Sequence, residues 1–180
     1  AAGGIATALP LLPSGPALIV SGDIYTTFDY ASLLPAAAAM ARQPDPGRAH
    51  LVLVPNPSYH PGGDFALVDG RLALDGNPRQ TFANIGLYDT RLFRELPRGT
   101  KLKLLPYLQR WIAEGRVCGE TFDGFWANVG TPDDLAQLDR ELRRRVALPP
   151  VRGPDFVASP RIDGGGWREE WRRRLDGTEP

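Results

Sequence analysis

The chain has 180 residues, of which 42% are apolar and 23% charged, and its formal net charge is zero. That length suffices for one domain with a sizeable core, and the balanced charge removes any global field that would gather nucleic acid or an anionic membrane surface. A single cysteine, Cys118, excludes an internal disulfide and a multi-cysteine zinc site and suits a reducing, cytoplasmic compartment; no stretch reaches the ~18 apolar residues of a membrane helix, and no leader pattern opens the chain.

In chain order, Gly3-Gly4 precedes a short helix over Ile5–Leu9 that stops before Pro10, and Pro13-Ser14-Gly15-Pro16 turns into the first strand. Ala17-Leu18-Ile19-Val20 is a continuous apolar run rich in β-branched residues, which predicts a strand buried on both faces of a helix-covered sheet. Ser21-Gly22-Asp23 follows it. In open α/β sheets ligands bind outside the carboxyl ends of strands, so Asp23 is placed to face a crevice and Gly22 to let the backbone approach a ligand. Asp29 caps a predicted helix over Tyr30–Arg42, with Leu33, Leu34, Ala37, Ala38 and Ala41 on its apolar face. His50–Pro55 is a second buried strand. Strand, helix and strand together predict a βαβ unit with its two strands paired in parallel.

The pattern then changes. Asp69-Gly70 between Asp64–Val68 and Arg71–Leu74 is a two-residue hairpin signal. Thr81–Tyr88 is a strand with Asn84 and Gly86 inside it, and Thr90–Leu96 a short helix. Leu102–Glu114 is a helix with Leu104, Leu105, Leu108, Trp111 and Ile112 on one face and Gly115 as its terminator. Arg116–Phe122 and Phe125–Val129 are short strands. Thr131 is the N-cap of a helix to Arg145, with Pro132 first, Asp133 and Asp134 behind it, and Leu135, Leu138 and Leu142 inward. The division expected is a domain over 1–148 and a loosely attached tail over 149–180, in which Trp167–Leu175 could form a short amphipathic helix.

Three strand ends carry polar groups that could meet. Asp23 is the best metal-ligand candidate, since magnesium takes one or two carboxylates together with substrate phosphates. Asp64 follows Gly62-Gly63, which suits a loop approaching a sugar or base, although it equally opens a hairpin. Asn128 offers an amide oxygen without charge. Lys101 and Lys103 could hold a phosphate or form the solvated side of a helix start. His50 and His60 read as surface or satisfied groups, and Cys118 as a small buried hydrophobe.

Seven segments in order, Gly3–Ile5, Leu18–Tyr25, His50–Pro57, Gly63–Leu67, Phe82–Tyr88, Lys103–Leu108 and Trp126–Leu135, resemble the sugar-1-phosphate nucleotidyltransferase family, and within it the uridylyltransferases of cell-wall (peptidoglycan) recycling. One such motif is weak; seven in sequence are far more specific. The resemblance implies a Rossmann-like mixed α/β sheet with flanking helices. The reaction it implies is attack of a sugar-1-phosphate oxygen on the α-phosphorus of a nucleoside triphosphate, here UTP, with pyrophosphate leaving. By the same resemblance Asp23 would bind the catalytic Mg2+ and Asn128 would take the second metal-ligand position. Ser21 and Gly22 would lie beside the nucleotide and Gly3-Gly4 against its base. Asp64 and Asn84, with Lys103, would hold the sugar phosphate.

Two departures accompany it. Many family members carry aspartate where this chain has Asn128, and the family's glycine-rich phosphate loop lies N-terminal to the first matching residue, so an N-terminally incomplete fold with an exposed strand edge and weak nucleotide affinity is expected. Two alternatives stand beside the uridylyltransferase reading: a mannose- or glucose-1-phosphate nucleotidyltransferase, and a non-catalytic sugar- or nucleotide-binding module.

Overall fold

The computed structural model describes residues 2–43 and 47–145. The chain divides into two compact units, Ala1–Asp139 and Arg140–Pro180. The described part of the second is the last turns of one helix, while the expected helix over Trp167–Leu175 lies outside the described residues.

In the first unit, helix α1 spans Ala2–Ala8 and leads through strands β1 (Pro16–Val20) and β2 (Ile24–Thr26) to helix α2 (Leu34–Ala41). Strand β3 (Ala49–Val54) and the hairpin of β4 (Phe65–Val68) and β5 (Arg71–Ala73) precede the long strand β6 (Arg79–Asp89). Helix α3 (Leu105–Ala113), strands β7 (Val117–Thr121) and β8 (Trp126–Asn128), and helix α4 (Pro132–Arg145) complete the order. Six strands form one mixed sheet in the order β1-β6-β3-β7-β5-β4, with β4 also paired to β6, and β2 and β8 form a separate antiparallel pair. The expected α/β mixed sheet with flanking helices is therefore the fold observed. No helix among the described residues is long and apolar enough to cross a membrane.

The expected parallel pairing of the first two long strands does not occur. β6 lies between β1 and β3 and is antiparallel to both, and the parallel pair is instead β3 with β7. Nor is β1 buried on both faces: Leu18 and Val20 are 43% and 37% exposed. A continuous apolar run sets β-propensity but not the number of covered faces. β1 is an edge strand whose only ladder partner among the described residues is β6.

Alternation along the central strands divides the core in two. Leu51 and Leu53 of β3 face Tyr88, Phe93, Leu108 and Trp111 on one side. Val52 and Val54 face Phe28, Leu33 and Ile85 on the other. Each of these fully buried aliphatic side chains contributes about 1.5–3 kcal/mol relative to exposure. The helices follow their local signals with local corrections. Asp29 accepts from the Ala31 amide at 2.9 Å, but Pro35 splits the predicted helix into a 3-10 turn over Tyr30–Leu33 and α2. That rotates its buried face onto Leu33 and Met40 and leaves Leu34 exposed. Gly115, at φ +68°, terminates α3 as expected, with the Gly115 and Arg116 amides donating back to Ile112 and Trp111. In α4 Leu138 is buried, whereas Leu135 is 58% exposed and not inward.

Candidate functional site

The carboxyl end of β1, the loop between β3 and β4, the middle of β6, the start of α3 and β8 surround one cavity of about 650 Å3. Of the residues singled out from the sequence, Ser21, Gly22, Asp64, Asn84 and Asn128 line it. The local cause differs at each. Ser21 continues β1 by donating its amide to the Asn84 carbonyl at 3.1 Å. Asn84 itself has φ +59° inside a strand, where the β3–β6 register shifts between Leu51 and Leu53. It marks a bulge, and asparagine tolerates the left-handed conformation better than most residues. The bulge breaks the in–out alternation of β6 beside the cavity.

Asp64 is fixed on three sides. Its amide donates to the Gln80 carbonyl at 2.8 Å, its Oδ2 accepts from the Phe82 amide at 2.8 Å, and the Arg79 guanidinium donates to its carbonyl. Its remaining oxygen, Oδ1, lies 3.2 Å from Nε2 of His60. The loop carrying this pair is laced down by Asn56, whose amide donates to the Pro61 and Arg79 carbonyls at 3.0 and 2.9 Å and whose Oδ1 accepts from Thr81. Gly63, at φ +60°, makes this possible: a Cβ there would stand 2.8 Å from Asn56 Oδ1 and the Arg79 backbone.

β8 closes the opposite wall. Asn128 is opposite Ile24 in the β2–β8 ladder, and the Val129 amide donates to the Asp23 carbonyl at 2.7 Å. Of the two ligand candidates, Asn128 at the end of β8 lines the cavity, whereas Asp23, in the turn just before β2, is exposed and does not line it. Trp126 is tied to β6 by its indole N–H, which donates to the Ala83 carbonyl at 2.9 Å. Among the described residues no cluster of three or more His, Cys, Asp or Glu side chains could hold a metal. One carboxylate and one amide are too few donors for a closed protein cage, and a magnesium ion there would need water and phosphate oxygens to complete its shell.

The remaining expected residues fall elsewhere. Gly3 lies within α1, which begins earlier than the sequence pattern placed it, and is a packing residue: a Cβ would collide with the Thr100 carbonyl. Gly4 is exposed, and both glycines line a more open groove of about 520 Å3 with Lys101. Neither reaches the main cavity, nor does Lys103, which is exposed just before α3. Cys118 is only partly buried.

Sequence reasoning passed over His60 and Tyr88. A histidine in a proline-rich loop carries no signal until the fold sets it beside Asp64. Tyr88, 1% exposed, lines the cavity, yet its hydroxyl has no hydrogen-bond partner among the described residues, and burial pushes its phenol well above the ordinary value.

No protein-family model matches the chain. Over 133 residues it is 38% identical to N-acetylmuramate alpha-1-phosphate uridylyltransferase of Neisseria meningitidis serogroup B, covering 72% of this chain and 56% of that protein. Over 148 residues it is 31% identical to the protein of the same name from Caulobacter vibrioides, covering 78% and 60%. The chain therefore spans a little over half the length of the curated relatives it matches. Among solved structures, a putative glucose-1-phosphate thymidylyltransferase from Bacillus anthracis, in complex with sucrose, superposes with a TM-score of 0.58 at 16% identity, covering 79% of this chain and 61% of that one. HddC from Yersinia pseudotuberculosis superposes with a TM-score of 0.55 at 13% identity, covering 78% and 61%. These two likenesses concern the fold.

Proposed function

Because the chain belongs, by sequence and by fold, with the sugar-1-phosphate nucleotidyltransferases, we propose that it carries the sugar-side part of a site joining N-acetylmuramate 1-phosphate to UTP, with release of pyrophosphate. The observation that carries this reading is the convergence of Ser21, Gly22, Asp64, Asn84 and Asn128 on one cavity of about 650 Å3.

The chemistry asks for positioning and charge neutralisation more than for covalent help. A phosphate oxygen of the sugar phosphate attacks the α-phosphorus in line, and the bond to the pyrophosphate oxygen breaks. Asp23 and Asn128 would hold a magnesium ion, which when bound neutralises the phosphate charge. Ser21 and Gly22 bring the end of β1 to the nucleotide side, and Asp64 and Asn84 line the sugar side. With a neutral amide at 128, Asp23 is the charged member of the pair, which makes it the more sensitive position.

Calorimetric titration of the 180-residue chain with UTP and magnesium, against Asp23→Ala, tests this reading. Weak but saturable binding that disappears in the variant is expected. Binding that survives in Asp23→Ala would favour a sugar- or nucleotide-binding module that uses no metal there. No binding of either ligand to folded protein would overturn the reading.

A further inference from the structure

The proposed substrate has two anionic parts: a phosphate at C1, and the carboxylate of the lactyl ether at C3 that distinguishes it from N-acetylglucosamine 1-phosphate. Among the described residues that line the cavity there is no lysine or arginine, and His60 is the one side chain able to carry positive charge. It is also a placed group. Its amide donates to the Pro57 carbonyl at 2.9 Å, its carbonyl accepts from Gly63, and its Nε2 meets Asp64 Oδ1 at 3.2 Å. With Nε2 engaged by a carboxylate, Nδ1 makes no hydrogen bond among the described residues, and in the protonated ring it is a donor. A carboxylate on one side and a second carboxylate from a ligand on the other is an arrangement that charge-assisted hydrogen bonds favour.

Position along β6 assigns this imidazole to the sugar end. The His60–Asp64 pair is tied to β6 at Phe82, whereas the β1 end that leads to Asp23 is tied to it at Asn84. The anchor points are two residues apart in the chain, on either side of Ala83, with the second at the bulge. A sugar phosphate with its phosphate toward Asp23 and Asn128 would therefore present ring substituents to the loop of His60.

Resting on the uridylyltransferase reading above, we propose that His60, oriented by Asp64, is the specificity-determining residue that takes the lactyl carboxylate, so that this site selects acidic over neutral sugar 1-phosphates. Asp64 is then a positioning residue, acting through His60.

The test compares dissociation constants of the full chain for N-acetylmuramate 1-phosphate and N-acetylglucosamine 1-phosphate, which differ by the lactyl group alone, in the presence of magnesium and without UTP, so that neither sugar is consumed. The parent is expected to prefer the acidic sugar. His60→Gln should reduce that preference about tenfold or more, the loss falling mainly on the acidic sugar. Circular dichroism reports whether the variant is folded. His60→Lys should keep part of the preference and Asp64→Asn should lose part of it. Equal loss for both sugars, or no loss for either, would overturn the role given to His60 while leaving the nucleotidyltransferase reading intact. A parent that binds neither sugar would overturn both.

Discussion

Tyr88 places a hydroxyl in the protein interior without a hydrogen-bond partner among the described residues, 1% exposed and lining the cavity. A buried polar group left unpaired costs about 1–3 kcal/mol, so the hydroxyl lowers the stability of the free protein. Its ring also limits its neighbour: a Cβ on Gly86 would stand 2.5 Å from it. Tyr88→Phe removes the unpaired hydroxyl and keeps the ring. The melting temperature in the absence of ligand should stay level or rise, whereas affinity for a sugar phosphate should fall. A clear drop in melting temperature instead would mean that the hydroxyl is satisfied within the fold. His60 makes the complementary point at this scale: its identity is plain in the sequence, but its relevance comes from 3.2 Å to Asp64.

At the scale of elements, local chemistry decides where helices begin and end. The first turn of α4 is the clearest case. Thr131 Oγ1 accepts from the Asp134 amide at 3.2 Å, and Asp134 Oδ2 accepts from the Thr131 amide at 2.9 Å and from its hydroxyl at 2.8 Å. The two residues satisfy each other's backbone donors, with the carboxylate at the positive end of the helix dipole. Thr131→Ala should cost about 1 kcal/mol in denaturant unfolding, and Thr131→Ser should recover most of it. The terminator Gly115 and the hairpin turn Asp69-Gly70, with φ of +49° and +74°, were equally legible because one residue type meets one backbone need. The apolar face of α2 was not, since Pro35 introduced a 3-10 turn and changed the period beneath it.

Over the whole molecule, one buried charge links pH to stability. Asp89 ends β6, is completely buried, caps the following 3-10 turn through the Arg91 amide, and receives the Arg91 guanidinium at 2.9 Å. Burial alone would raise its carboxyl, but the hydrogen bonds and charge of Arg91, with Arg94 behind, hold it below the ordinary carboxylate range. A folded-state value below the unfolded one gives stability that is complete above the unfolded value near pH ~4 and lost as pH falls through the folded one. Thermal unfolding of the parent should therefore drop on that acid limb. Asp89→Asn should start lower, by about 3 kcal/mol near neutral pH, and show a flatter acid limb; equal limbs would show that other carboxylates govern acid unfolding.

The sequence by itself determined the strands, most caps and turns, and the identity of the polar residues at strand ends, because each depends on neighbours within a few positions. Only the tertiary structure decided how strands pair and how many of their faces are covered. β6 inserted itself between β1 and β3 because pairing is settled by ladders between distant segments. The same long-range geometry joined Ser21, Asp64, Asn84 and Asn128 around one cavity, added His60 and Tyr88 to it, and sent Gly3 into packing and Lys103 to the surface. Side chains on segments far apart in the chain meet only when the sheet that carries them has formed.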